Sequence, residues 1–75
     1  MLEQIKEILA TSVNVNPDKV TYEATLDSDL GIDSLDSVEL VLEVETRYNI
    51  QISDEEILGI NTVKDLIEII ETKIN

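Results

Sequence analysis

Apolar residues return at three- and four-residue intervals in separate stretches of this chain, and no strand alternation competes with that pattern. Leu2, Ile5, Ile8 and Leu9 predict a first helix over about residues 2–13, fading into Asn14-Val15-Asn16-Pro17, where proline cannot continue a helix interior. Residues 17–32 hold no sustained period and are read as a long connection pinned by Val20, Tyr22, Leu26 and Leu30. Connections of this length without structure of their own are uncommon and often functional. Gly31 suits a positive-φ turn and either Asp33 or Ser34 suits an N-cap, which predicts a second helix over residues 34–48. Ser53 with Glu56 three residues on is a capping-box pattern, and Gly59 supplies a stop, so one short helix lies between them. Thr62 opens the last helix, with Val63, Leu66, Ile67, Ile70 and Ile74 on one face and Lys64, Asp65, Glu68 and Glu71 mostly outward. The expected fold is all-α: a four-helix bundle with one short helix and a long loop between the first two, as a single domain over residues 1–75.

The second helix carries more apolar residues than one buried face needs. At roughly 100° per residue and with Leu35 as origin, Leu40, Val41, Val44 and Tyr48 form a core stripe. Asp36, Glu39 and Glu43 make an acidic strip along one flank, while Leu35, Val38 and Leu42 fall opposite much of the core stripe. Those three are either covered by the long loop or exposed as contacts for a partner.

Composition narrows the chemistry. With no Cys and no His, neither a disulfide nor the commonest metal ligands can staple the fold, so helix packing of Ile, Leu and Val must hold it. No apolar run approaches the roughly 20 residues that cross a bilayer, and Met1-Leu2-Glu3-Gln4 lacks the basic start of a signal peptide. A soluble, cytoplasmic monomer is expected. Seventeen acidic against five basic residues give a net charge of -12, which disfavours nucleic acid and anionic membranes. Such a chain is steered instead toward basic patches on other proteins.

Without His or Cys, a serine here would need Lys or a carboxylate to activate it. Asp33 and Asp36 flank Ser34 and oppose formation of an alkoxide, so Ser34 suits the acceptor of another enzyme's chemistry; the bland alternative is that it only caps the helix. Asp27, Asp29 and Asp33 resemble the start of a calcium loop, but with Asp27 first, Ile32 stands where the turn glycine belongs and Val38 where the bidentate glutamate must be. No metal site is expected.

The run Leu30-Gly31-Ile32-Asp33-Ser34-Leu35-Asp36-Ser37-Val38-Glu39-Leu40 resembles the acyl carrier protein family, whose Asp-Ser-Leu motif marks the phosphopantetheine site. The first helix, the long loop, Ile52-Ser53-Asp54-Glu55-Glu56 and the helix opening near Thr62-Val63 extend the likeness over nearly the whole chain. The resemblance implies a non-enzymatic carrier. A phosphopantetheinyl transferase would attach 4'-phosphopantetheine to Ser34, supplying the sulfur that this Cys-free chain lacks for a thioester. Acyl groups would then reach acyl-transfer and chain-elongation enzymes of fatty-acid or related biosynthesis through basic patches on those enzymes. By the same resemblance Asp33, Leu35, Asp36 and Glu39 face partners, and Val38, Leu42 and Glu43 extend that surface. Leu40, Val44, Ile60 and Ile67 are expected to shelter the acyl chain. Ile32, Thr46 and Arg47 depart from the common fatty-acid pattern, which leaves a specialised carrier for a polyketide or other secondary pathway open; an acidic interaction module is the reading from another class.

Overall fold

The computed structural model describes residues 1–74, and over these the order is α1 (Leu2–Ser12), a 3₁₀ turn (Pro17–Lys19), α2 (Ser34–Tyr48), α3 (Asp54–Leu58) and α4 (Val63–Ile74). The four helices expected from periodicity are present, and the short third member falls between Ser53 and Gly59. Among the described residues, strand-like pairing is confined to an isolated antiparallel bridge between Thr25 and Thr62.

Each helix boundary has a local cause. α1 ends before Pro17, because Asn14 adopts a left-handed backbone (φ 58°) and the Val15 N–H turns back to donate to the Leu9 carbonyl at 3.1 Å. Gly31 takes φ 67° just before α2, a conformation that costs a residue bearing a Cβ about 1–2 kcal/mol. Asn49, at φ 55°, closes α2. At α3 the Ser53 hydroxyl accepts from the Glu56 N–H (3.2 Å) and the Glu56 carboxylate accepts from the Ser53 N–H (3.0 Å). Gly59 ends this helix in ordinary right-handed geometry, so its stop comes from tightened bonds to the Glu56 and Ile57 carbonyls and not from glycine's positive-φ freedom. Thr62 and Asp65 reproduce the reciprocal cap at α4, where the Asp65 carboxylate accepts from both the Asn61 and Thr62 N–H groups. These backbone donors hold the Asp65 carboxyl below its usual range.

The core is aliphatic. Ile5, Ile8 and Leu9 of α1 meet Leu40, Val41 and Val44 of α2, while Val63, Leu66, Ile67 and Ile70 of α4 close the third side. No polar or charged residue is buried among the described residues. The long connection is not a slack tether. Val20, Ala24, Leu26 and Ile32 are buried, and the Leu26 N–H donates to the Asn61 carbonyl and the Val63 N–H to the Ala24 carbonyl, both at 3.0 Å, stitching the loop to the start of α4. Two expectations fail here. Tyr22 does not pin the loop, being 44% exposed, because its stretch is held through the backbone, with the Tyr22 carbonyl accepting from the Lys64 N–H. Ile74 lies one turn beyond Ile70, the last buried position of α4, and is exposed.

Candidate functional site

Ser34 is the first residue of α2 and is exposed. Three neighbours place it. Gly31 turns the chain, buried Ile32 anchors it to the core, and Asp33 takes the N-cap position with its carboxylate accepting from the Asp36 N–H at 2.9 Å. The Asp33 carbonyl accepts from the Ser37 N–H, also at 2.9 Å, starting the helical ladder. Of the two cap candidates, Asp33 therefore does the capping, and the Ser34 hydroxyl has no part in it. A primary hydroxyl is thus presented to solvent at a fixed helix start.

Along α2 the three sectors stand as the wheel placed them. Leu40, Val41 and Val44 are buried, and Tyr48 is half-buried. Leu35, Val38 and Leu42 are 79%, 56% and 57% exposed, so the long loop does not cover them. Glu39 is exposed, and Asp36 and Glu43 are partly so. Leu58 on α3 adds a further exposed apolar side chain. Periodicity missed it, because five residues are too few to show which face is free.

A cavity of about 30 Å³ opens between α2, α3 and α4, lined by Leu26, Ser37, Leu40, Val41, Ile57, Ile60 and Leu66. Leu40 and Ile60, expected at an acyl site, are on its wall; Val44 and Ile67 are not. Val44 lies one turn further along α2 than Leu40 and is fully buried in the core, and Ile67 borders a separate surface cleft with Tyr22 and Lys64. Ser37 and Ile57 were not anticipated, since neither belongs to a stripe of long apolar period.

The acidic loop uses its carboxylates on its own backbone. Asp29 accepts from the Thr25 N–H at 2.8 Å, Asp27 from the Ser28 N–H at 2.7 Å, and Asp33 caps α2. Among the described residues no group of three or more potential ligands is placed to hold a metal ion, and no helix is long and apolar enough to cross a membrane.

Comparison with known proteins agrees with this geometry. A family model described as a phosphopantetheine attachment site matches residues 3–70. The acyl carrier protein of Wolinella succinogenes is 47% identical over 72 residues, covering 96% of this chain and 95% of that protein. The acyl carrier protein of Thermosynechococcus vestitus is 42% identical over 74 residues, covering 99% and 91%. The crystal structure of an acyl carrier protein from Thermotoga maritima superposes with a TM-score of 0.86 at 36% identity, over 96% of this chain and 84% of that one. An exposed serine at a capped helix start, an acidic helix behind it and full-length relatives of this kind lead to one conclusion: the chain belongs to the acyl carrier protein family.

Proposed function

We propose that the chain carries acyl groups as thioesters on a 4'-phosphopantetheine arm attached to Ser34 Oγ, and delivers them to enzymes of fatty-acid or related acyl-chain biosynthesis. The observation that carries this reading is the Ser34 hydroxyl, exposed at the first residue of α2 and released from capping by Asp33. The residues fit the arm: the hydroxyl is uncovered, its neighbour Leu35 is exposed, and the helix start offers backbone N–H groups toward a phosphodiester. In attachment, the Ser34 oxygen forms a bond to the phosphorus that was bonded to the nucleotide part of coenzyme A. That pyrophosphate bond breaks, 3',5'-adenosine bisphosphate departs, and the hydroxyl proton passes to a base of the transferase, since this chain holds no His. The arm supplies the thiol that the chain, without Cys, does not. The chain itself is not an enzyme: its part is to present Ser34 rigidly and to offer Asp33, Leu35, Asp36, Val38, Glu39, Leu42 and Glu43 to partners.

Those partners are a phosphopantetheinyl transferase and acyl-processing enzymes that dock through basic patches, a complementarity suited to the net charge of -12. The carrier works as a cytoplasmic monomer in this reading. The test is incubation with coenzyme A, magnesium and a broad-specificity phosphopantetheinyl transferase, followed by intact and peptide mass spectrometry. One singly modified species is expected, lost in Ser34→Ala. Modification mapped to Ser12, Ser28, Ser37 or Ser53 overturns the assignment.

A further inference from the structure

Acidic residues on α2 are not equivalent. Glu45 accepts from the Ile52 N–H at 2.8 Å, so its charge is spent on the turn after the helix. Glu43 lies 3.6 Å from Arg47, whose guanidinium also holds Glu7 of α1 at 3.2 Å. Asp36 and Glu39 have no ion-pair partner among the described residues. Arg47 is the sole basic residue of α2. One guanidinium faces two carboxylates, Glu7 being the closer, so Glu43 is partly compensated, whereas Asp36 and Glu39, within the turn and a half following Ser34, face no cation among the described residues. A shallow cleft walled by Ser12, Glu39, Leu42, Glu43 and Thr46 lies beside this pair, with the exposed Leu42 as its apolar element. Its shape suits a long basic side chain, stem on Leu42 and head toward Glu39 or Glu43.

We propose that Arg47 is a specificity-determining positioning residue: an internal cation, shared between Glu7 and Glu43, that competes at Glu43 with the basic side chains of partner enzymes and weights electrostatic docking toward Asp36 and Glu39. The inference rests on the carrier reading above and concerns how strongly and where partners engage α2. An exposed pair of this kind contributes little to stability, so its removal leaves the fold in place. Its effect on an incoming charge is larger, because steering depends on the local field and not on the strength of the pair.

The experiment uses the full chain as substrate of a broad-specificity phosphopantetheinyl transferase selected for a Lys- and Arg-rich acceptor face, with KM and kcat measured at low and physiological ionic strength. Arg47→Ala is expected to lower KM roughly two- to five-fold at low salt, with kcat unchanged, and the gain should shrink once the screening length falls to about 8 Å. Lys19→Ala removes one positive charge from a residue that has no ion pair among the described residues, and should change KM much less. Arg47→Lys, which can still pair with Glu43, should stay near wild type. Arg47→Ala combined with Glu43→Gln should return KM to near the wild-type value. An unchanged or raised KM for Arg47→Ala, an equal gain for Lys19→Ala, or a gain that survives Glu43→Gln overturns the proposal. Failure of the carrier reading shows separately, as absence of any modification of the wild-type chain.

Discussion

Asp33 and Ser34 are adjacent and both polar, yet the structure divides their work. The Asp33 carboxylate satisfies the Asp36 N–H, one of the donors that a helix start leaves without an internal partner, whereas the Ser34 hydroxyl serves no part of this cap. Replacing an N-cap aspartate by alanine costs about 1 kcal/mol, while an exposed substitution away from such features stays within about 0.5 kcal/mol. Asp33→Ala should therefore lower unfolding stability measurably, and Ser34→Ala should not, although only the latter removes the proposed acceptor atom. Urea titrations of the two variants check this, with Asp33→Asn, which keeps the cap, expected near wild type. A loss in Ser34→Ala matching that in Asp33→Ala would mean the hydroxyl is structural after all. From sequence the cap was open between these two residues, because both types favour the position and only the backbone of Gly31 and Ile32 decides which of them occupies it.

Among the four α-helices, α3 is the one with no buried residue; Ile57 packs partly against the core, and its ends supply further ties. Glu56 ties it down twice. Its carboxylate accepts from the Ser53 N–H within α3's own cap and lies 3.0 Å from Lys73 of α4. The Ser53 backbone donor chiefly, with Lys73 adding to it, holds the Glu56 carboxyl below its usual value of 4.5. A carboxyl whose folded pKa is depressed contributes stability above its unfolded pKa and loses that contribution as pH falls through the folded value. Glu56→Gln keeps an acceptor for the cap but not the charge. The variant should unfold at a lower temperature than wild type at pH 7, and the gap should close below pH 4.5, the usual value from which Glu56 is depressed. Because the other carboxylates titrate in both proteins, a gap that stays constant with pH would remove the charge from the account. How α3 sits was not legible in the sequence, although Ser53 and Glu56 announced its cap; the Lys73 contact joins residues far apart in the chain. The same holds for the long loop. α2 was readable at residues 34–48 because period, cap and turn agree there, but Ala24 is buried where its carbonyl accepts from the Val63 N–H of α4, and Ile32 where its N–H donates to the Leu26 carbonyl within the loop, bonds that leave no periodic trace. At the site, helical geometry set Leu35, Val38 and Leu42 apart from the core stripe but left open whether the loop covers them, whereas Ile57 on the cavity wall depends on how α3 packs.

At the scale of the whole molecule, the question is where an acyl chain goes once loaded. The cavity beside Ser37 holds about 30 Å³, close to the share of liquid volume taken by one water molecule, about 30 Å³. It is too small for a chain of several carbons, so sheltering requires the helices around Leu40, Ile57 and Ile60 to separate. The fold makes that separation cheap on one side, since α3 buries no residue fully: Ile57 packs only partly against the core, and Glu56 ties the helix to Lys73. No disulfide resists it, and no buried polar group among the described residues would be stranded by it. Against the cost of opening, each methylene that enters contributes about 0.8 kcal/mol. Two added carbons thus offset more than a weak surface contact, and every 1 kcal/mol gained raises the unfolding midpoint of a domain this size by about 4–8 °C. Self-repulsion at a net charge of -12 lowers the stability of the unloaded form and makes such increments easier to see. Thermal midpoints should therefore climb from the phosphopantetheine form through butanoyl and hexanoyl to octanoyl forms at fixed pH and salt. An enlarged side chain at Ile60, such as Ile60→Phe, should blunt the rise by filling the wall of the space the guest needs. Midpoints that remain flat as the chain lengthens would place the acyl group on the surface, leaving the proposals of attachment at Ser34 and docking along α2 untouched.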